Sequence, residues 1–225
     1  MPRSLRVALS FLAGAAIFVA LPLLAWGPGD PRGFLADAAR AAYVALAVAL
    51  NAYASVVVPE VGKPRAAARR TVPRQRIAVR LLQALPLAIV LWGPYADRRA
   101  LAVIGWPWVR WAGVACYAAG FLLMHAAEAR LGRLFSVQVA IQAGHRLVTD
   151  GPYRFVRHPR YLGIVVFAAG LALVFRSWPG LVLAGAVKVV LLWRIRDEEA
   201  LMAEEFGDEW SAYAERTWRL VPLVY

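Results

Sequence analysis

Residues 161–199 read YLGIVVFAAGLALVFRSWPGLVLAGAVKVVLLWRIRDEE. Two apolar runs, Tyr161–Phe175 and Leu181–Arg194, are separated only by Arg176-Ser177-Trp178-Pro179-Gly180. Adjacent proline and glycine mark a turn. The pattern therefore predicts a short helical hairpin whose tip barely crosses the hydrocarbon of a bilayer. The hairpin closes on a charged run, Arg194-Ile195-Arg196-Asp197-Glu198-Glu199. Apolar segments of this kind decide the fold class, because only helices and closed barrels satisfy their backbone groups within lipid.

Four longer runs precede the hairpin: Leu5–Trp26, Phe34–Val58, Ile77–Tyr95 and Pro107–Glu128. Each matches the roughly 20 residues that span a bilayer at about 1.5 Å per residue. The first run follows Arg3 and Arg6, as a signal peptide would. It is too long for a typical apolar signal region and lacks a clean cleavage site, so it reads as a retained helix. Pro86 lies inside the third run as a tolerated kink. Of the 225 residues, 61% are hydrophobic, well above the roughly 45–50% of a soluble domain. The expected fold is all-α: a polytopic integral membrane protein of about six transmembrane helices, the C-terminal hairpin included. A cytosolic amphipathic helix over Asp197–Arg216 follows, with Phe206, Trp210, Tyr213 and Thr217 at helical spacing and Gly207 as an interruption. One compositional break divides the chain, into transmembrane helices over 1–128 and a more polar core over 129–225.

The formal net charge is +12. The arginines stand between apolar runs with no recognition motif, so membrane topology explains them and nucleic-acid binding is not expected. Lys63, Arg65, Arg69, Arg70, Arg74 and Arg76 place the second loop in the cytosol. Both termini then fall on the cytosolic side, as does the segment holding Arg130, Arg133, Arg146, Arg154 and Arg157. The Ala-, Arg- and Val-rich composition suggests a prokaryotic inner membrane. The basic second loop also suits anionic membrane lipid. Cys116, the only cysteine, forms no internal disulfide and no metal site.

Two polar clusters resist explanation by bilayer residence. One runs from Gln138 through His145-Arg146-Leu147-Val148 and Tyr153 to His158-Pro159-Arg160-Tyr161; the other is Arg194 to Glu199. A paired hairpin brings both to one cytosolic mouth. His158 and Tyr161, three apart, share a helix face, as do Arg194 and Glu198, four apart. Each residue also has a plainer reading. Arg157 and Arg160 suit positive-inside anchors, Glu198 and Glu199 suit surface ion pairs, and Tyr153 and Tyr161 suit interfacial aromatics. Gly163 suits close helix packing. Ionisable groups gathered beside hydrocarbon are costly, and that points to function.

Gly-His-Arg-Leu-Val-Thr-Asp-Gly-Pro-Tyr over 144–153, Arg-His-Pro-Arg-Tyr-x-Gly over 157–163, Arg-x-x-x-Glu-Glu over 194–199, Phe206-Gly207-Asp208-Glu209-Trp210 and Pro222 together resemble the isoprenylcysteine carboxyl methyltransferase family. The resemblance covers roughly residues 130–222. It implies a membrane enzyme using S-adenosylmethionine; the wider superfamily also includes phospholipid N-methyltransferases and small-thiol S-methyltransferases and shades into membrane sterol reductases that use NADPH. By position it assigns Gln138, His145, Arg146, Leu147, Val148, Tyr153, His158, Pro159, Arg160, Tyr161 and Glu198 to the cofactor, and Arg194 to the substrate carboxylate. Trp210 departs from the tyrosine usual there. The implied acceptor is lipophilic, an isoprenylcysteine-like carboxylate or a prenylated substrate. A carboxylate acceptor is already ionised at pH 7 and needs no base; an amine or thiol would need one, and His158 and Glu199 are the candidates. The competing readings are the reductase, which needs a dinucleotide pocket, and a non-enzymatic transporter or scaffold, which predicts polar breaks in both halves of the chain.

Overall fold

The computed structural model describes residues 2–57, 70–71, 75–134, 140–141 and 146–222. Among the described residues, five helices are long and apolar enough to cross a membrane: α1 (Arg3–Trp26), α3 (Ala38–Val57), α4 (Gln75–Arg98), α5 (Val109–Leu131) and α7 (Trp178–Phe206). A sixth apolar helix, α6 (Pro159–Val174), is shorter. Two short α-helices, α2 (Pro31–Leu35) and α8 (Asp208–Glu215), are also present. Arg70–Thr71 (β1) pairs antiparallel with Ala140–Ile141 (β2). The all-α, polytopic expectation is borne out.

Local chemistry sets the helix ends. The expected second run from Phe34 is divided, because the Asp37 carboxylate accepts from Ala39 N and Arg40 N at 3.0 and 3.1 Å and so caps α3. Asp30 caps α2 by accepting from Gly33 N at 2.8 Å. Ser177 caps α7 by accepting from Gly180 N at 3.0 Å. In α1, Pro22 offers no N–H to the carbonyl of Phe18, one turn back. The helix widens to a π turn over Ala16–Ala20, and the Tyr43 hydroxyl donates to the Phe18 carbonyl at 2.6 Å instead.

The hairpin differs from expectation in its second arm. That arm does not end near Arg194 but continues as one helix to Phe206, and Gly207, at φ +50°, breaks it. At about 1.5 Å per residue, its 29 residues exceed the roughly 30 Å hydrocarbon thickness. The polar run Arg194 to Glu199 thus belongs to α7, and the separate tail helix begins only at Asp208.

α5 and α6 run antiparallel along a seam of glycines. A Cβ on Gly113 or Gly120 would lie 2.3 Å from Val174 N or 2.4 Å from Phe167 N. A Cβ on Gly163 or Gly170 would lie 2.7 Å from Met124 N or 2.4 Å from Tyr117 N. Gly113 and Gly120 are seven residues apart, as are Gly163 and Gly170, so each pair returns to one helix face after two turns. Small residues of this kind let backbones meet, the packing that bilayers favour. Phe18, Tyr43, Tyr117, Phe167 and Phe175 fill the space beside the seam, with Tyr43 and Tyr117 edge to face at 5.1 Å.

Candidate functional site

The site forms where the C-terminal turns of α5, the N-terminus of α6 and the outer half of α7 converge. Arg130 of α5 ion-pairs with Asp150 and holds its carboxyl below the usual carboxylate range. That contact leads into a 3₁₀ turn over Gly151–Arg154, which Gly151 enters at φ +58°. The turn buries Tyr153, whose hydroxyl burial pushes well above its ordinary pKa. The following strand-like step is pinned by the C-terminal segment: Arg157 N donates to Trp218 O at 2.8 Å, and Trp218 N donates to Phe155 O at 3.1 Å. Pro159 then occupies the first turn of α6, where its missing N–H costs nothing.

Three carboxylates organise the side chains. Glu128 of α5 accepts from Arg160 Nε at 2.7 Å. Glu198 of α7 accepts from the Tyr161 hydroxyl, which itself accepts from Arg194 Nε at 2.8 Å. Glu199 accepts through Oε1 from Arg157 Nε at 2.9 Å and meets His158 Nε2 at 3.2 Å, while its Oε2 pairs with Arg219 Nε at 2.8 Å. The His158 and Tyr161 rings stack nearly parallel, 5.5 Å apart, as their shared helix face requires.

A cleft of about 670 Å³, measured to its open mouth, lies over this arrangement. Arg146, Leu147, Val148, Tyr153, His158, Arg160, Tyr161 and Glu198 line it, as the sequence pattern proposed. Pro159, Arg194 and Glu199 do not line it. Arg194 is buried behind Tyr161, and Glu199 stands behind His158. Gln138 and His145 lie outside the described residues. The cleft adds Leu131, Arg157, Met202, Trp210 and Tyr213. Burial pushes the Tyr213 hydroxyl up to about 12, and it donates to the Tyr153 carbonyl at 2.8 Å. The signal for Trp210 and Tyr213 was their helical spacing, which reads equally as a membrane-facing stripe. Among the described residues no group of three or more His, Cys, Asp or Glu is placed to hold a metal ion.

The lining combines charged, aromatic and apolar side chains. One carboxylate faces several guanidiniums, and four aromatic residues and an imidazole flank Leu131, Leu147, Val148 and Met202. Both polar clusters of the sequence meet at it, and it is built from α5 through α8. Residues 112–204 match the isoprenylcysteine carboxyl methyltransferase (ICMT) family. The match bears out the resemblance carried by the sequence motifs. A protein-S-isoprenylcysteine O-methyltransferase of Schizosaccharomyces pombe is 34% identical over 112 residues, 47% of this chain and 46% of that one. Protein-S-isoprenylcysteine O-methyltransferase A of Arabidopsis thaliana is 32% identical over 121 residues, 52% of this chain and 61% of that one. A protein-S-isoprenylcysteine O-methyltransferase of Dictyostelium discoideum is 27% identical over 118 residues, 51% of this chain and 50% of that one. The chain thus spans about half the length of the curated relatives it matches. The ICMT match begins near the start of α5 and ends near the end of α7, so it takes in the glycine seam and three walls of the cleft.

Proposed function

We propose that this chain is an integral membrane methyltransferase. It moves a methyl group from S-adenosylmethionine to a lipophilic acceptor, the carboxylate of an isoprenylcysteine-like molecule. One observation carries the reading: Glu198 faces an aromatic-lined cleft within the ICMT-matching segment, at the polar end of apolar helices. S-adenosylmethionine, when bound, supplies an electrophilic sulfonium methyl group. Glu198 holds the cofactor's ammonium through a charge-assisted hydrogen bond. Arg146, Arg157 and Arg160 offer cations for its carboxylate, and the main chain of Leu147 and Val148 meets the adenine edge. Tyr153, Tyr161, Trp210 and Tyr213 exclude water. Arg194, on the far side of Tyr161, orients the acceptor carboxylate, which needs no base at neutral pH. Tyr161 thus separates a donor side from an acceptor side, and positioning the two supplies most of the acceleration.

The cleft faces the cytosol in this reading, with both termini on the same side, because the basic segments flank that end. An acceptor anchored in lipid reaches Arg194 sideways, and the soluble cofactor enters from water. Purified full-length protein is expected to be stabilised against heat by S-adenosylhomocysteine and not by NADPH. Glu198→Ala is expected to remove the shift while the unliganded melting temperature stays near that of the wild type. Stabilisation by NADPH instead, or an undiminished shift in Glu198→Ala, would overturn the assignment.

A further inference from the structure

Glu199 is the most heavily engaged carboxylate of the site, yet it does not line the cleft. Its Oε1 serves Arg157 and His158, and its Oε2 serves Arg219. Both oxygens face cations, Arg157 at Oε1 and Arg219 at Oε2. The three partners come from two separate segments, the 157–158 step before α6 and the C-terminal strap after α8. Those segments are otherwise joined by the paired backbone bonds between Phe155, Arg157 and Trp218. Arg157 reinforces the same junction, its Nη1 donating to the carbonyls of Ala214 and Thr217 at 2.6 and 2.5 Å. One carboxylate of α7 therefore ties the strap to the wall that carries His158, and His158 in turn stacks on Tyr161.

We propose that Glu199 is a positioning residue: it clamps the C-terminal strap, through Arg219, onto the Arg157–His158 wall and so fixes the shape of the donor cleft. The consequence for donor binding rests on the function proposed above; the clamp itself does not. Arg157 and Tyr213 both line the cleft, and the strap follows directly from the helix that carries Tyr213. Releasing the clamp widens the cleft from its floor without removing any group that faces the donor.

Hydrogen exchange on the full-length protein in detergent tests the clamp without ligand. In Glu199→Gln and, separately, Arg219→Gln, the amides of Arg157 and Trp218 are expected to exchange about tenfold faster. Amides of α5 and α6 are expected to exchange as in the wild type. Unchanged exchange at Arg157 and Trp218 in both variants overturns the clamp, and so does loss of protection throughout α5 and α6 in both. The second arm measures S-adenosylhomocysteine affinity. It is expected to fall about tenfold in Glu199→Gln and to recover in part in Glu199→Asp. Wild-type affinity in Glu199→Gln overturns the positioning role. Failure of the wild-type protein to bind S-adenosylhomocysteine overturns the donor assignment, while the exchange result still decides the clamp.

Discussion

Tyr161 joins the two sides of the proposed reaction with one oxygen. Its hydroxyl donates to Glu198 and accepts from Arg194. Removing it strands a buried guanidinium and a carboxylate, each deprived of one partner, and such losses cost roughly 1–3 kcal/mol. Tyr161→Phe keeps the ring stacked on His158 and is expected to lower S-adenosylhomocysteine affinity about tenfold, measured by calorimetry. Unchanged affinity would show that the hydroxyl does not hold Glu198 in place. Tyr213 carries a pH prediction. Because burial raises its folded-state pKa to about 12, the folded protein favours the protonated hydroxyl. Its contribution is intact below the ordinary tyrosine pKa of about 10 and is lost as pH rises through about 12. Between those values stability is expected to fall with pH in the wild type and less in Tyr213→Phe, followed by chemical denaturation. Much of the cleft was legible in the sequence, because His158, Tyr161 and Glu198 are costly beside hydrocarbon and gather at one mouth. Arg157 was read as a topology anchor, since charge counting does not distinguish a guanidinium facing headgroups from one facing Glu199. Arg194 and Glu199 carried the right chemistry, but spacing alone does not tell a residue on the wall from one behind it.

The glycine seam explains why α5 and α6 form the central pair of helices. Gly120 has the backbone of Phe167 where a side chain would stand, whereas a Cβ on Gly185 of α7 would meet nothing within 4 Å. The two positions therefore make opposite predictions for the same substitution. Gly120→Ala is expected to destabilise by about 1–3 kcal/mol through overpacking. Gly185→Ala is expected to stabilise slightly, by up to about 1 kcal/mol, by removing backbone freedom from an exposed helix position. Melting temperatures of the two variants in the same detergent provide the check; a loss at Gly185 as large as at Gly120 would mean the seam is not the tight contact. The helices themselves were legible because runs of apolar residues have few ways to sit in lipid. Their ends were less so. Asp37 breaks the second run because its carboxylate caps the helix that follows, and α7 continues past Arg194 because its charged residues find partners outside the hydrocarbon. Hydropathy sees the loss of apolarity at Arg194 and mistakes it for the end of the helix.

At the scale of the molecule the chain holds a second polar centre, at the opposite end of α5 from the cleft. Asp97, at the C-terminal end of α4, has a fully buried carboxylate. It accepts from Arg110 at 2.7 and 2.9 Å and from Arg40 at 3.1 Å, and Arg176 stands 3.4 Å away. Arg110 also pairs with Asp37 at 3.2 Å and donates to the Val174 carbonyl at 2.9 Å, and Arg40 lies over the Trp26 ring. α1, α3, α4, α5, the end of α6 and the turn after it thus meet around one charge. The sequence pattern places Arg40 and Arg110 within two different apolar runs, Asp97 between runs and Arg176 in the hairpin turn. Their convergence was hidden because Asp97 lies 57 residues from Arg40 and 79 from Arg176. Asp97→Asn removes the compensating charge and leaves buried guanidiniums facing one another, a kind of change that costs about 3–5 kcal/mol. Arg110 and Arg130 are separated along α5 by 20 residues, or about 30 Å. The loss should therefore appear as a lower melting temperature of the whole helical assembly, with S-adenosylhomocysteine affinity unchanged in the protein that remains folded. If affinity fell while the melting temperature held, the two ends would be coupled and Asp97 would act on the cleft rather than on the fold.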